Sequence, residues 1–227
     1  MFKVNRNKEE VKEFEGSGNK FLNKSGMYED VTIKNLIYDE AANGGAVINF
    51  FVECQGEEQV VYGDLRVYNK GGKDNAIGQQ LLNKLMVILS IDDLGEPVEE
   101  DLPIGKGKAM KTVNVFPNVE DEDISIRITN KYSVWNNNIM EKTTVSNFYD
   151  NETKATAEEL LQFEEDGDES ILGIKYQKDL EYADNTKYED GLTAEQIVEW
   201  IKSKRPKGTA SSKPAFKKPK GKFGGAK

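Results

Sequence analysis

Residues 46–89 read AVINFFVECQGEEQVVYGDLRVYNKGGKDNAIGQQLLNKLMVIL, and within them the apolar period changes from that of a strand to that of a helix. Successive strand side chains point to opposite faces, so Ile48, Phe50, Val52 and Cys54 fall on one side of a first extended run and Val47, Asn49, Phe51 and Glu53 on the other. After the turn Gln55-Gly56-Glu57-Glu58, the run Gln59–Tyr68 places Val61, Gly63, Leu65 and Val67 on a core face and Val60, Tyr62, Asp64, Arg66 and Tyr68 on an outward one. Beyond Asn69–Asn75, residues Ile77, Leu81, Leu85 and Ile88 recur at helical spacing with Leu82, Met86 and Leu89 beside them, which predicts a core-packed helix from about Asn75 to Ser90.

Upstream, Val31 and Ile33 share a face, while Leu36 and Tyr38 follow on the opposite parity after Lys34-Asn35. An inserted residue flips every later side chain, so a long first strand bent by a β-bulge is expected. Ala41-Ala42-Asn43-Gly44-Gly45 supplies the positive-φ residues of a hairpin turn between that strand and the next. Downstream, Asp92–Lys111 turns from acidic to basic across Pro97, Pro103 and two glycines and reads as a long loop. Strands follow at Thr112–Phe116, at Ile124, Ile126 and Ile128, at Tyr132–Trp135 and at Ile139–Phe148, the last two joined by a hairpin at Asn136-Asn137-Asn138. Thr156 with Glu159, and Thr193 with Gln196, form capping boxes for helices over Ala155–Phe163 and Leu192–Ser203, the second docked by Leu192, Ile197 and Trp200.

Three strands, a helix and a late hairpin give the element order of an OB-fold: a mainly β, five-stranded, partly open barrel with a helix between strands three and four. The expected organisation is an N-terminal arm over 1–26 with a short helix at Glu9–Glu15, the barrel over 27–150, an acidic segment with short helices over 151–201, and a disordered basic tail over 202–227. Lys202–Lys227 carries ten basic residues and no acidic one, whereas residues 1–201 hold 21 Lys+Arg against 40 Asp+Glu. With Phe216 and Phe223 as its only large apolar groups, the tail cannot bury enough surface to offset ordering entropy. It reads as a cationic arm for polyanions, through Lys204, Arg205, Lys207, Lys217, Lys218, Lys220 and Lys222.

Composition narrows the chemistry. The chain has no histidine, which removes the commonest general base and the histidine-activated nucleophiles. Its one cysteine, Cys54, excludes an internal disulfide and reads as a buried hydrophobe. Neither a phosphate-binding glycine loop nor a membrane-length apolar run is present. No cofactor or metal is expected. Asp64, Asp92-Asp93 and Glu164–Asp168 are available to a carboxylate–metal nuclease, but their spacing singles out no cluster. The expectation is a protein that is not an enzyme, has no membrane partner and resides in the cytoplasm.

A single-strand binder needs flat rings on which bases stack, interleaved with cations that follow the phosphates. Phe51, Tyr62 and Tyr68 are candidate stacking groups, with Arg66 between the two tyrosines. Lys34, Lys106, Lys108, Lys111, Arg127 and Lys131 are candidate cationic walls, joined by Lys142, and Tyr132 and Trp135 stand near the final hairpin tip. Surface tyrosines also serve β-propensity alone, and Trp135 equally suits cover of a core edge.

The segments MYEDVTIKNLIYDEAANGGAVINFFVEC, VVYGDLRVYNKGGKDNAIGQQLLNKLMVIL, LPIGKGKAMKTVNV and ISIRITNKYSVWNNNIMEKTTVSNFYD, spanning Met27 to Asp150, resemble the bacteriophage-encoded single-stranded-DNA-binding proteins. The resemblance implies an OB-fold, sequence-tolerant coating of single-stranded DNA in phage replication or recombination, work alongside replication or recombination proteins, residence in the host cytoplasm and no catalysis. Many such binders end in an acidic tail; this chain ends in lysines and keeps its acidic stretches inside, at Glu164–Glu169 and Asp184–Asp190. The competing class is a structural or assembly protein of a virus whose basic tail contacts nucleic acid.

Overall fold

A computed structural model describes residues 22–105, 107–119 and 121–204, and omits the side chains of residues 63 and 64. The first strand, β1 (Gly26–Glu40), is the axis of the architecture. On one edge it pairs antiparallel with β2 (Ala46–Cys54), and β2 with β3 (Glu57–Asn69). On its other edge, its first half pairs with β7 (Glu122–Trp135) and its second half with β6 (Lys111–Phe116). β7 pairs in turn with β8 (Asn138–Asp150), and β6 with β5 (Val98–Leu102). The two-residue strands β4 (Lys73–Asp74) and β9 (Lys187–Tyr188) complete one mainly β, curled half-barrel sheet. Among the described residues four α-helices accompany it: α1 (Ala76–Ile88), α2 (Ala157–Asp166), α3 (Ile174–Glu181) and α4 (Ala194–Lys204).

The expected bulge lies at Lys34, where the β1–β2 register shifts between Ile33 and Asn35. Val31 and Ile33 before it, and Leu36 and Tyr38 after it, consequently face the same main core. That core also takes Ile48, Phe50, Val52, Cys54, Leu65, Ile124, Ile126, Ile128, Val145 and Phe148, so the inward parity of β2 and Cys54's burial are as read. The hairpin turns at Ala41–Gly45 and Asn136-Asn137 form as expected, the latter with both asparagines at positive φ. Both capping boxes are made: Thr156 with Glu159, and Thr193 with Gln196.

Among the described residues nine strands stand where a five-stranded barrel is expected, and the differences have definite causes. β5 arises within the expected loop because the acidic run Val98–Leu102 pairs with β6 along its whole length, its charges facing solvent. Its Leu102, with Val113 and Val115 of β6, covers Ile37 and Phe51 on the outer face of β1 and β2 and makes a second apolar cluster. The strands expected at Ile124–Ile128 and Tyr132–Trp135 are one continuous β7. The acidic segment holds α3 and β9, and α2 contributes Ala157 to the main core. Residues 202–204 belong to α4 rather than to the tail; the arm's helix at 9–15 and the tail from 205 onward lie outside the described residues.

The apolar stripe of α1 is rotated by one position from expectation. Gly78, Leu82, Leu85 and Ile88 are buried, while Ile77 is 80% exposed. Gly78 sets this rotation, because a Cβ built there would lie 1.8 Å from the carbonyl oxygen of Arg66. The helix therefore rests on the β3 backbone at the one residue type without a side chain. Gly78→Ala should destabilise the fold by about 3 kcal/mol or more, since backbone on backbone has no rotamer through which to yield. Gly56→Ala, at a positive φ with open space around it, should cost only about 1–2 kcal/mol. Urea unfolding of both variants checks the contrast.

Candidate nucleic-acid interface

The structure separates the expected Tyr62, Arg66 and Tyr68 row. Between the pairs Ile48↔Leu65 and Phe50↔Val61, β3 carries two more residues than β2, and a second irregularity falls between Val47↔Arg66 and Ala46↔Tyr68. Each extra residue re-aims the side chains beyond it. Tyr62 and Arg66 stay exposed, but Tyr68, opposite the buried Ala46, turns inward and packs half-buried against the main core. It is not a stacking platform.

Tyr62 is 66% exposed and stands over a groove of about 240 Å³. Val60, Asn49 and Ile37 form part of the floor, and Ile104, Lys111 and Val113 belong to the β5–β6 side. Asp39 and Glu40 also line it, so the groove pairs one cation with two carboxylates around an exposed ring. Lys108 is exposed in the preceding loop, and Lys106 lies outside the described residues.

Arg66 borders two further clefts. One, about 400 Å³, lies between β3, α1 and β8 and includes Leu65, Ile77, Leu81, Lys142 and Thr144. The other, about 280 Å³, lies at the barrel end among Asp39, Asn43, Ala46 and Lys70. Here the two hairpin tips are tied: Gly71 N–H donates to Asn43 O at 2.7 Å, and Gly44, at φ 78°, has no room for a Cβ against Gly72 N. Arg66, Lys70 and Lys142 thus edge neighbouring clefts on rigid backbone. Lys70 carries no sequence signal beyond its turn; only the folding of two hairpins together brings it beside Arg66.

The remaining candidates are occupied by the protein itself. Phe51 is 5% exposed, in the second apolar cluster; burying such a ring is worth about 1.5–3 kcal/mol, at least as much as one stacked base. Lys34 Nζ meets Asp121 at 2.6 Å and Glu53 at 3.4 Å, and the Asp121 bond holds its ammonium above the ordinary lysine range. Lys131 pairs with Glu189 at 2.7 Å. Tyr132 is buried, stacked on Tyr188 with ring centroids 6.0 Å apart, and its hydroxyl donates to Glu141 at 2.7 Å. Trp135 alone of the hairpin aromatics is open, 69% exposed.

Arg127 is the clearest correction. Its Nη1 lies 2.6 Å from Asp179 Oδ1 and its Nη2 donates to Tyr182 O at 2.9 Å. With the Asn185 amide turned to satisfy both its ends, Oδ1 accepts from Arg127 Nε at 3.1 Å and Nδ2 donates to Ile128 O at 3.1 Å. Asp179 also accepts from Tyr149 Oη at 2.6 Å and from Lys175 Nζ at 2.7 Å. Residues from α3 to Asp190 therefore form a strap along β7, in which Asp179, Glu189 and Asp190 meet Arg127, Lys131 and the Val134 N–H, and β9 runs parallel to β7 beyond the point where β1 begins. The sequence shows the acidic run but not which cations it meets.

Of the tail candidates only Lys204 is described; Arg205, Lys207, Lys217, Lys218, Lys220 and Lys222 lie outside the described residues. Among the described residues no group of three or more His, Cys, Asp or Glu stands close enough to hold a metal ion, and no helix is long and apolar enough to cross a membrane.

Burial alone raises the Asp179 pKa, but the bonds from Lys175 and Tyr149 and the Arg127 charge outweigh it and hold the carboxyl below the ordinary aspartate range. A depressed folded pKa contributes stability that is present above the unfolded value, about 3.9, and is lost as pH falls through the folded one. Asp179→Ala, which leaves the mostly covered Arg127 guanidinium without its carboxylate, should cost about 3 kcal/mol at neutral pH. In chemical denaturation the gap between it and the parent should narrow below about pH 4. No protein-family model, curated protein or solved structure matches this chain, so its geometry alone describes this surface.

Proposed function

We propose that this protein binds single-stranded DNA without sequence preference, along the outer barrel wall from the Tyr62 groove to the Arg66 ridge, in the replication or recombination of a bacteriophage. The observation that carries the reading is the exposure of Tyr62 and Arg66 on β3, beside the Lys111 side of one groove and the Lys70 and Lys142 sides of two others. Rings supply sequence-tolerant stacking and cations track the phosphates. Trp135 at the β7–β8 tip extends the same chemistry.

The topology supports the OB-fold part of the proposal. β1, β2, β3, β8 and β7 form a five-strand subset in which β1 serves both halves through its bulge. β3 and β8 both run with β1 and lie side by side without a shared ladder, leaving that seam open, and α1 packs there against both. On this reading the β5–β6 hairpin is an insertion that closes one side of the binding wall, and β4 and β9 are accessory. Partner proteins of replication or recombination belong to the same proposal.

The acidic body fits it through the strap. Arg127 and Lys131 are neutralised by Asp179 and Glu189, so cations that would scatter an incoming strand over β7 are engaged internally. Anisotropy of labelled oligo-dT with the full chain tests the proposal. Tyr62→Ala should weaken binding about fivefold to hundredfold, the value of one stacked base. Arg66→Glu should weaken it and make the salt dependence shallower. Affinity unmoved by both substitutions would overturn the assignment.

A further inference from the structure

A cavity of about 420 Å³, within the range of small-ligand sites, lies between α4, β7, β8 and the residues that lead into β1. Tyr132, Trp200 and Ile201 give it apolar walls, and Lys24 and Lys204 bring two cations to it. Its carboxylate, Glu141, accepts the Tyr132 hydroxyl. The Trp200 and Tyr132 rings meet edge to face, with centroids 6.0 Å apart and planes at 81°, and Lys204 Nζ stands 3.5 Å from the centre of the Trp200 ring. Sequence continues directly from Lys204 into residues 205–227, which carry eight basic side chains and no acidic one.

We propose that this cavity is a second single-strand contact, remote in sequence from Tyr62 and Arg66, in which one base stacks on Trp200 and its phosphates meet Lys204 and Lys24. This rests on the functional reading above. Charge complementarity selects the occupant: a polyanion drawn to the basic segment arrives at Lys204, beside a half-buried indole that meets Tyr132 edge to face and carries a cation over its ring. Base stacking on an indole exceeds an exposed cation–π contact, so the strand displaces the Lys204 ammonium from the ring. That ammonium is then placed to meet the phosphate beside the stacked base.

The chain has two tryptophans, Trp135 and Trp200, which makes the site separately observable. Full-length Trp135→Phe protein, with Trp200 as its sole indole, is titrated to saturation with labelled oligo-dT while anisotropy and indole emission are read together. Trp200 emission should fall in step with the anisotropy. Lys24→Glu combined with Lys204→Glu should weaken binding about tenfold and blunt the quenching, since both side chains are exposed and their loss leaves the core intact. Saturating anisotropy with unmoved Trp200 emission overturns this inference and leaves the Tyr62–Arg66 wall standing. No anisotropy change with the parent chain removes the functional reading, and this one with it.

Discussion

The bulge at Lys34 is the constraint on which the other elements depend. A strand has two faces and two edges, and β1 uses all four because its side-chain parity reverses at Lys34, as it also does between Tyr28 and Val31 where its register with β7 shifts. Without the reversal at Lys34, Val31 and Ile33 would share a face with Asn35 and Ile37, and neither apolar cluster would be complete. With it, the first half of β1 holds β7, the second half holds β6, and both halves feed one core. The sheet curls because its central strand is divided between two neighbours.

That division also decides what is left for solvent. The β5–β6 hairpin attaches only to the second half of β1, and its apolar residues cover Phe51 and Ile37 while leaving Tyr62 open at the margin. On the opposite flank, the length of β7 beyond Ile128 has lost β1 as a neighbour, and β9 takes up part of the vacated edge. An unpaired edge of this kind invites pairing with another chain, and the strap protects it with the protein's own residues. Arg127 and Lys131 are consequently structural cations.

Much of the curled sheet was legible because its signals are local. Parity reversal at Lys34-Asn35, the glycine turn at Gly44-Gly45, the asparagine turn at Asn136-Asn137 before β8 and the threonine caps each act over a few residues, and each forms as read. The β5 strand was not legible, since Glu99, Glu100 and Asp101 show no apolar alternation and the strand exists only because β6 pairs with it. Tyr68 was misplaced for a similar reason: period-two counting assumes an unbroken ladder, and β3 breaks its ladder twice before reaching that residue. Among the site candidates, exposure of Tyr62, Arg66 and Trp135 follows from strand parity and turn chemistry. The fate of Arg127, Lys131 and Tyr132 depends on partners at distant positions along the chain, which no local pattern encodes.

The strap carries a kinetic consequence. Asp179 lies 52 residues beyond Arg127 and Glu189 lies 58 beyond Lys131, so each pair closes a long loop that spans the β7–β8 hairpin. Contacts of such separation form late, when loop closure is already compensated by other structure. On that ground Arg127 and Lys131 are expected to be among the last cations of the sheet to meet their carboxylates. Until then both side chains are open to solvent and its ions.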